Sequence, residues 1–293
     1  MTLAPDVLAL QLLTGLALGA LYALLAIGLS LIFGMLTVVN FAHGAFFMVG
    51  AYVGFFLYGL TGSFWACLVG APLAVGAVGL VVERFLVRPL YGRGLDYPLL
   101  LTFGLAYVLV EIVRILFGKQ GLPFDTPEAL SGAVDVWVGY FPLYRLFVIG
   151  AAAAATLAVW LFIDKTSYGL IIRAGARDPV IVRILGIDIA RVWLVIFGIG
   201  AALAGFAGVL AAPLQGVAPE MGDTVLAEAF VVTVIGGMGS LLGAVVAGLL
   251  VGVTISMTSL FAPEMARVCV FALMALVLLV RPQGMFGRAG LLS

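Results

Sequence analysis

Nine apolar runs along this chain restrict its fold more than any other feature of the sequence. They cover residues 7–33, 41–58, 64–82, 98–117, 146–163, 192–212, 225–234, 241–257 and 268–280. About 20 consecutive apolar residues suffice for a helix to cross the hydrocarbon core of a bilayer. Hydrophobic residues make up 65% of the chain, whereas they are about half of an ordinary soluble domain. The sequence therefore predicts an all-α polytopic membrane protein with about eight transmembrane helices, in a single domain at 1–293.

The seventh run is too short to span a bilayer, and it ends at a glycine cluster that reads GGMGS. We predict a broken or half helix near 225–240. Broken helices in transporters present their ends and backbone carbonyls to a solute, whereas small residues also allow two helices to pack closely. Both explanations stay open from the sequence. The candidate residues of a translocation path in this cluster are Gly236, Gly237 and Gly239.

Lysine and arginine concentrate in three segments, at 83–97, at 164–191 and after residue 280, where Arg281 and Arg288 lie. Cytoplasmic connections of membrane proteins carry an excess of these residues. We therefore expect these three segments in the cytoplasm, with the N-terminus and the connection at 213–224 outside. The chain carries 14 basic and 14 acidic side chains, a balance that gives no indication of nucleic acid binding.

A short charged segment at 173–187 interrupts the apolar pattern. Asp178 and Pro179 are typical of a helix start, and Gly186 is typical of a helix end. The helix between them has a large apolar face surrounded by arginines. It is either a docking helix for a soluble partner or an interfacial helix that lies on lipid headgroups. The candidate docking residues are Arg173, Arg177, Asp178, Pro179, Val180, Ile181, Arg183, Ile184 and Gly186.

The sequence does not predict an enzyme. It contains no GxxxxGK[ST] phosphate-binding loop and no convergent set of nucleophile, base and orienting group. Cys67 and Cys269 lie in separate apolar runs without neighbouring metal-ligand partners, so we predict neither a metal site nor a cofactor. Uphill transport by this chain would need an ion gradient or another chain as its source of energy.

Four stretches resemble the membrane subunits of ATP-binding-cassette importers for branched-chain amino acids. The first lies at 28–53 and has the sequence NFAHG near its centre. The others lie at 173–187, at 207–252 and at 277–287. The stretches occur in the family's order over nearly the whole chain, which makes the resemblance specific although each glycine-rich piece alone is weak.

The resemblance implies about eight helices in the inner (plasma) membrane of a prokaryote, with the N-terminus outside and the C-terminus cytoplasmic. It implies a second homologous permease subunit, two ATPase subunits and a periplasmic or extracellular solute-binding protein, besides the membrane lipid. The connection at 164–191 then corresponds to the family's cytoplasmic ATPase-docking loop. Amino acids, and leucine, isoleucine and valine in particular, are the implied solutes.

Two alternatives remain. Urea and amide permeases share the overall pattern, and a self-sufficient channel for a small neutral solute would also carry few charges. A channel would have no use for a docking helix. Relatives often have alanine where this chain has Ile181 and Val182, which leaves open which ATPase fits.

Asn40 and His43 are polar residues within an apolar region, and polar groups at membrane depth are costly and often functional. With Gly44 they are further candidates for the translocation path. The alternative is that both side chains satisfy backbone groups at a bend, and the sequence does not decide between the two.

Three further sets of charged residues carry weaker predictions. They are the pair Glu111 and Arg114, the pair Glu83 and Arg84, and the acidic group Glu220, Asp223 and Glu228. We expect the first pair to be mutually neutralising and the second to be interfacial. The acidic group, which has no basic neighbour in sequence, either contacts a binding protein or forms a solvated loop.

Overall fold

A computed structural model describes residues 5–287 of the chain, so Arg288 lies outside the described residues. The helices are α1 Pro5–Leu36, α2 His43–Thr61, α3 Phe64–Val82, α4 Asp96–Phe117, α5 Leu143–Lys165, α6 Ser167–Arg177, α7 Pro179–Ile184, α8 Ile189–Gln215, α9 Met221–Gly236, α10 Leu241–Phe261 and α11 Ala266–Val280. A π-helical turn, Glu83–Val87, and a 3-10 turn, Arg88–Leu90, continue α3. The strands β1 Ala133–Asp135 and β2 Tyr140–Pro142 form a small antiparallel hairpin.

Eight helical segments in the described part of the chain are long and apolar enough to cross a membrane. The helix α9 has 16 residues and is not among them. This confirms the prediction of about eight transmembrane helices with a half helix near 225–240. The small β1–β2 hairpin was not predicted from the sequence.

Several helices begin at a polar side chain that accepts a hydrogen bond from a backbone N–H group of the first turn. These N-caps are Ser63, Thr166, Asp178, Asp188 and Ser240. The first N–H groups of a helix have no partner within the helix, so such caps fix where each helix starts.

The centre of the bundle consists of α1 and α8, whose spans are the most buried. Small residues bring α10 against α1: a β-carbon at Gly19 would lie 2.7 Å from Leu249 Cα, and one at Gly248 would lie 2.8 Å from Ala23 Cα. Small-residue contacts of this kind replace the hydrophobic effect as a packing force within lipid. The close-packing explanation of the glycine-rich segment therefore holds for α10.

The segment between α1 and α2 is not helical, and Thr37 there has a positive φ of 53°. Phe41 N–H donates to Thr102 Oγ1 of α4 at 3.1 Å. This hydrogen bond ties the segment to α4, and α2 begins only at His43.

Candidate functional site

The short helix predicted between Asp178 and Gly186 is present as α7, Pro179–Ile184. Asp178 Oδ1 accepts hydrogen bonds from the N–H groups of Val180 and Ile181 at 2.9 and 3.0 Å. Pro179 occupies the first helical position. After the last turn, Gly186 adopts a φ of +80°, which is unfavourable for other residues. The predicted start and end signals of this helix are therefore confirmed.

The connection at 164–191 is not a loop, because most of it is helical. It contains α6, a helix of 11 residues that the sequence reading missed. Thr166 Oγ1 accepts from Gly169 N–H at 3.1 Å and marks the start of α6, so the capping signal was present in the sequence. The residue Gly169 itself packs against the backbone of Ile163 at the end of α5, which sets α6 closely against that helix.

Four large apolar side chains of α7 and its C-terminal end are exposed. The exposed fractions are 61% for Val180, 56% for Ile181, 78% for Ile184 and 72% for Leu185. The intervening Val182 is 3% exposed, and its carbonyl accepts from Ile187 N–H at 3.3 Å. One side chain thus anchors α7 to the protein while four others form an apolar ridge, which we call the α7 ridge.

The charges around the α7 ridge differ from the prediction in one respect. Arg177 and Arg183 are exposed, as expected for a basic rim. The guanidinium of Arg173 is half-exposed and donates to the carbonyl of Ile163, and it lies 4.0 Å from Asp164. Arg173 therefore joins α6 to the end of α5, while the other two arginines surround the ridge.

The path candidates Asn40, His43 and Gly44 are buried within the bundle. Asn40 Oδ1 accepts from Ala42 N–H at 3.0 Å, and His43 Nε2 lies 3.1 Å from the carbonyl of Leu25. These contacts support the alternative that both side chains satisfy backbone groups at a bend. Asn40 Nδ2 and His43 Nδ1 are buried without a hydrogen-bond partner in the described part of the chain, and their role in a path stays a prediction.

The end of α9 does not present its carbonyl groups to a solute in this structure. The carbonyls of Ile235 and Gly236 accept hydrogen bonds from the N–H groups of Met285 and Phe286 at 2.7 and 3.0 Å. The segment after α11 thus covers these two carbonyls, and an exposed helix end at the glycine break stays a prediction.

Around that break, Gly236 packs against Gly243, and Gly237 packs against Gly287. Gly239 is exposed. Whether Gly236, Gly237 and Gly239 line a translocation path stays a prediction.

The sequence predicted an interfacial position for Glu83. The structure instead shows its side chain fully buried. Its two oxygens accept from Arg88 Nε at 3.2 Å and from Arg88 Nη2 at 2.8 Å. Arg84, the other member of the predicted pair, is exposed. The separation of five residues between Glu83 and Arg88 was visible in the sequence, but it has no special meaning on a regular α-helix.

Glu111 and Arg114 form the predicted ion pair. Arg114 Nη2 also donates to Glu220 Oε1 at 2.8 Å, so the acidic group does have a basic neighbour in space. This hydrogen bond holds the pKa of Glu220 below its ordinary value. Glu220 is thus neither an isolated loop charge nor wholly available to a partner.

Comparison with known proteins places these features in a family. The family model described as "Branched-chain amino acid transport system / permease component" matches residues 11–278. The chain is 34% identical over 299 residues to the high-affinity branched-chain amino acid transport system permease protein LivH of Escherichia coli, covering 95% of each protein. It is 32% identical over 295 residues to BraD of Pseudomonas aeruginosa, a permease of the same printed description, again covering 95% of each.

A second kind of permease is also similar. LivM of Escherichia coli is 31% identical over 297 residues, covering 90% of this chain and 67% of LivM. Among solved structures, PsaBC from Streptococcus pneumoniae in complex with Fab matches with a TM-score of 0.50 and 13% identity. It covers 93% of this chain and 92% of that chain. At this identity the match supports the helical fold alone.

Proposed function

This chain belongs to the family of branched-chain amino acid transport permeases, and we propose that it is the membrane subunit of an ATP-driven importer for leucine, isoleucine and valine. The description of the family as a permease component of a transport system supports a chain that works with others. Similarity to both LivH and LivM supports a second, homologous permease subunit. A soluble binding protein delivers the solute on the outer side.

We propose that separate ATPase subunits bind at 173–187, and the α7 ridge is the observation that carries this proposal. A helix of six residues is not stable in isolation. Here the cap of Asp178, the buried Val182 and the neighbouring α6 hold it in place before any partner binds. A partner therefore meets an ordered surface and does not have to order it, which favours binding.

The chemistry of the α7 ridge fits a groove on a protein. Full burial of a large aliphatic side chain contributes roughly 1.5–3 kcal/mol. Val180, Ile181, Ile184 and Leu185 each expose more than half of their surface, so their combined burial would provide several kcal/mol for docking. The rim of Arg177 and Arg183 would pair with acidic side chains around such a groove.

The distribution of basic residues supports the orientation of the chain. The α7 segment carries arginines and the turn after α3 carries Arg84 and Arg88, and basic residues favour the cytoplasmic side. We therefore place α7 and the C-terminus in the cytoplasm and the N-terminus outside, in the inner membrane of a prokaryote.

The test is co-purification of the ATPase subunits with Ile184→Glu, which puts a charge on the α7 ridge. Val134→Glu in β1 is the matched control, since Val134 is also exposed but lies on the hairpin away from α7. We expect Ile184→Glu to lose both the ATPases and leucine uptake, and Val134→Glu to retain them. Retention of ATPases and uptake by Ile184→Glu would show that docking occurs elsewhere.

The substrate and the energy source are tested with vesicles. Vesicles that contain the complete complex should concentrate leucine and not urea when ATP is present. Vesicles with this chain as the sole protein should show no solute flux. Downhill flux of a small neutral solute in the second preparation would identify a channel instead.

A further inference from the structure

The two turns after α3 bring polar side chains together around the buried carboxylate of Glu83. Glu83, which is fully buried, receives two hydrogen bonds from Arg88 and a third from Tyr91, whose hydroxyl donates to Oε1 at 3.0 Å. The π-helical turn Glu83–Val87 makes this possible, since a π-helix places residues five apart over each other. Such turns are frequent at functional positions.

The cluster reaches from α3 to the first turn of α8. Arg88 Nη2, which binds Glu83, also donates to the carbonyl of Ala190 at 3.0 Å. Three residues further along α8, the ring of Trp193 meets the ring of Tyr91 edge-on, with 4.8 Å between the centroids. A polar contact and an aromatic contact therefore hold the same face of α8.

The contact on α8 is close to α7 along the chain. α7 ends at Ile184 and α8 begins at Ile189. Asp188 Oδ1 accepts from the N–H groups of Ala190 and Arg191 at 3.1 and 3.4 Å. The connection between the two helices is thus short and hydrogen-bonded at both ends, so a displacement of α7 must act on the peptide to which Arg88 binds.

Beyond this end, α3 and α8 stay in close contact. A β-carbon at Gly205 would lie 2.8 Å from Val75 Cβ, and one at Gly198 would lie 2.6 Å from Leu80 Cδ2. Such close packing leaves little room for one helix to slide past the other. Fixing the start of α8 to the end of α3 therefore makes the two helices move together.

Stability alone is a poor explanation for this cluster. Removing a carboxylate from water is costly, and a buried ion pair often adds little net stability compared with apolar side chains. What a buried carboxylate held by several hydrogen bonds does provide is one defined geometry.

We propose that Glu83, Arg88 and Tyr91 are positioning residues that transmit a displacement of α7 to α3 and α8 as one unit during transport. We call these three residues the α3–α8 joint. This inference rests on the docking function proposed above for the α7 ridge. The joint touches neither solute nor nucleotide; it sets how much of the ATPase movement reaches the membrane helices.

The test is the coupling ratio of the complete transporter in vesicles, measured as leucine imported per ATP hydrolysed. Arg88→Lys keeps a positive charge beside Glu83. An ammonium group, however, lacks the planar, forked donors with which the guanidinium binds the Glu83 carboxylate and the Ala190 carbonyl at once. Arg84→Lys is the matched control, because Arg84 lies in the π-helical turn directly before Arg88 and is exposed.

We expect Arg88→Lys to assemble with the ATPases, to hydrolyse ATP and to import about ten-fold less leucine per ATP, since hydrogen bonds to charged groups carry effects of this size. Arg84→Lys should match the unmodified protein. The ratio does not depend on how much complex is recovered, so a role in stability alone would leave it unchanged.

Two outcomes with Arg88→Lys overturn the proposal: a normal coupling ratio, and loss of the ATPases, which would make the joint part of the docking surface. If Arg88→Lys is not recovered from the membrane, Tyr91→Phe decides. It removes one hydrogen bond and keeps the ring on Trp193, and an unchanged ratio in this variant overturns the proposal. Failure of the unmodified chain to bind the ATPases would instead refute the docking function itself.

Discussion

Arg114 on α4 and Glu220, directly before α9, form an ion pair across 106 positions of sequence, with 2.8 Å between Nη2 and Oε1. Because the hydrogen bond from Arg114 lowers the pKa of Glu220, the pair stabilises the protein above the ordinary glutamate pKa. That stabilisation is lost as the pH falls through the lowered value in the folded protein.

We expect the melting temperature of the unmodified protein to fall more steeply than that of Glu220→Gln as the pH drops below about 4.3, the ordinary glutamate pKa. The two side chains are 29% and 56% exposed, so the effect on the free energy of unfolding should be below about 1 kcal/mol. Asp223→Asn, at an exposed acidic residue nearby, should keep the steep dependence. Identical pH profiles for Glu220→Gln and the unmodified protein would contradict the assignment.

Asp178→Ala should weaken the docking of ATPase subunits. It removes the acceptor for the N–H groups of Val180 and Ile181, and the loss of such a cap costs about 1 kcal/mol of helix stability. Asn caps helices as well as Asp does, so Asp178→Asn should bind the ATPases normally. Equal binding by the Ala and Asn variants would mean that α7 need not be preformed.

Gly44→Ala should destabilise the protein. A β-carbon there would collide with the carbonyl of Gly222 and lie 2.8 Å from Leu226 Cβ, which forces α2 and α9 apart. We expect a loss of about 1–3 kcal/mol, as for other overpacked sites, measured by thermal unfolding in detergent. Gly59→Ala, in the same helix with open space around it, should have no such effect; a similar loss in both variants would point to helix α2 as a whole.

Gly237→Ala should destabilise the protein more than Gly239→Ala. Both glycines have positive φ, of 95° and 83°, so both variants carry backbone strain of roughly 1–3 kcal/mol. Only at Gly237 would the new methyl group also collide with Gly287 and displace the segment that covers the end of α9. Equal melting temperatures for the two variants would show that this segment contributes little.

The spans were predictable from the sequence because the length and hydropathy of an apolar run are local properties. Bilayer thickness sets the length that a spanning helix needs. The ends of α7 were predictable for the same reason, since Asp178, Pro179 and Gly186 act on their own backbone. The helix α6 was missed although Thr166 caps it and its residues form an amphipathic pattern, because only that one residue separates it from the end of α5.

Contacts across the bundle were not predictable in the same way. The pairing of Arg114 with Glu220 depends on how α4 and α9 pack. The pairing of Glu83 with Arg88 depends on a π-helical turn, which no residue in that segment specifies on its own. The cover over the end of α9 depends on residues fifty positions away in sequence, from Ile235 to Met285.

That last separation has a consequence for biogenesis. When α9 enters the lipid during translation, Met285 and Phe286 have not yet been synthesised, so the carbonyls of Ile235 and Gly236 lack their final donors. Unsatisfied carbonyls are costly in a bilayer. The C-terminal end of α9 in the nascent chain must therefore stay in water or in contact with the insertion machinery. The half helix reaches its final state only when the segment after α11 emerges, which makes the closing of the bundle one of the last events in the maturation of the protein.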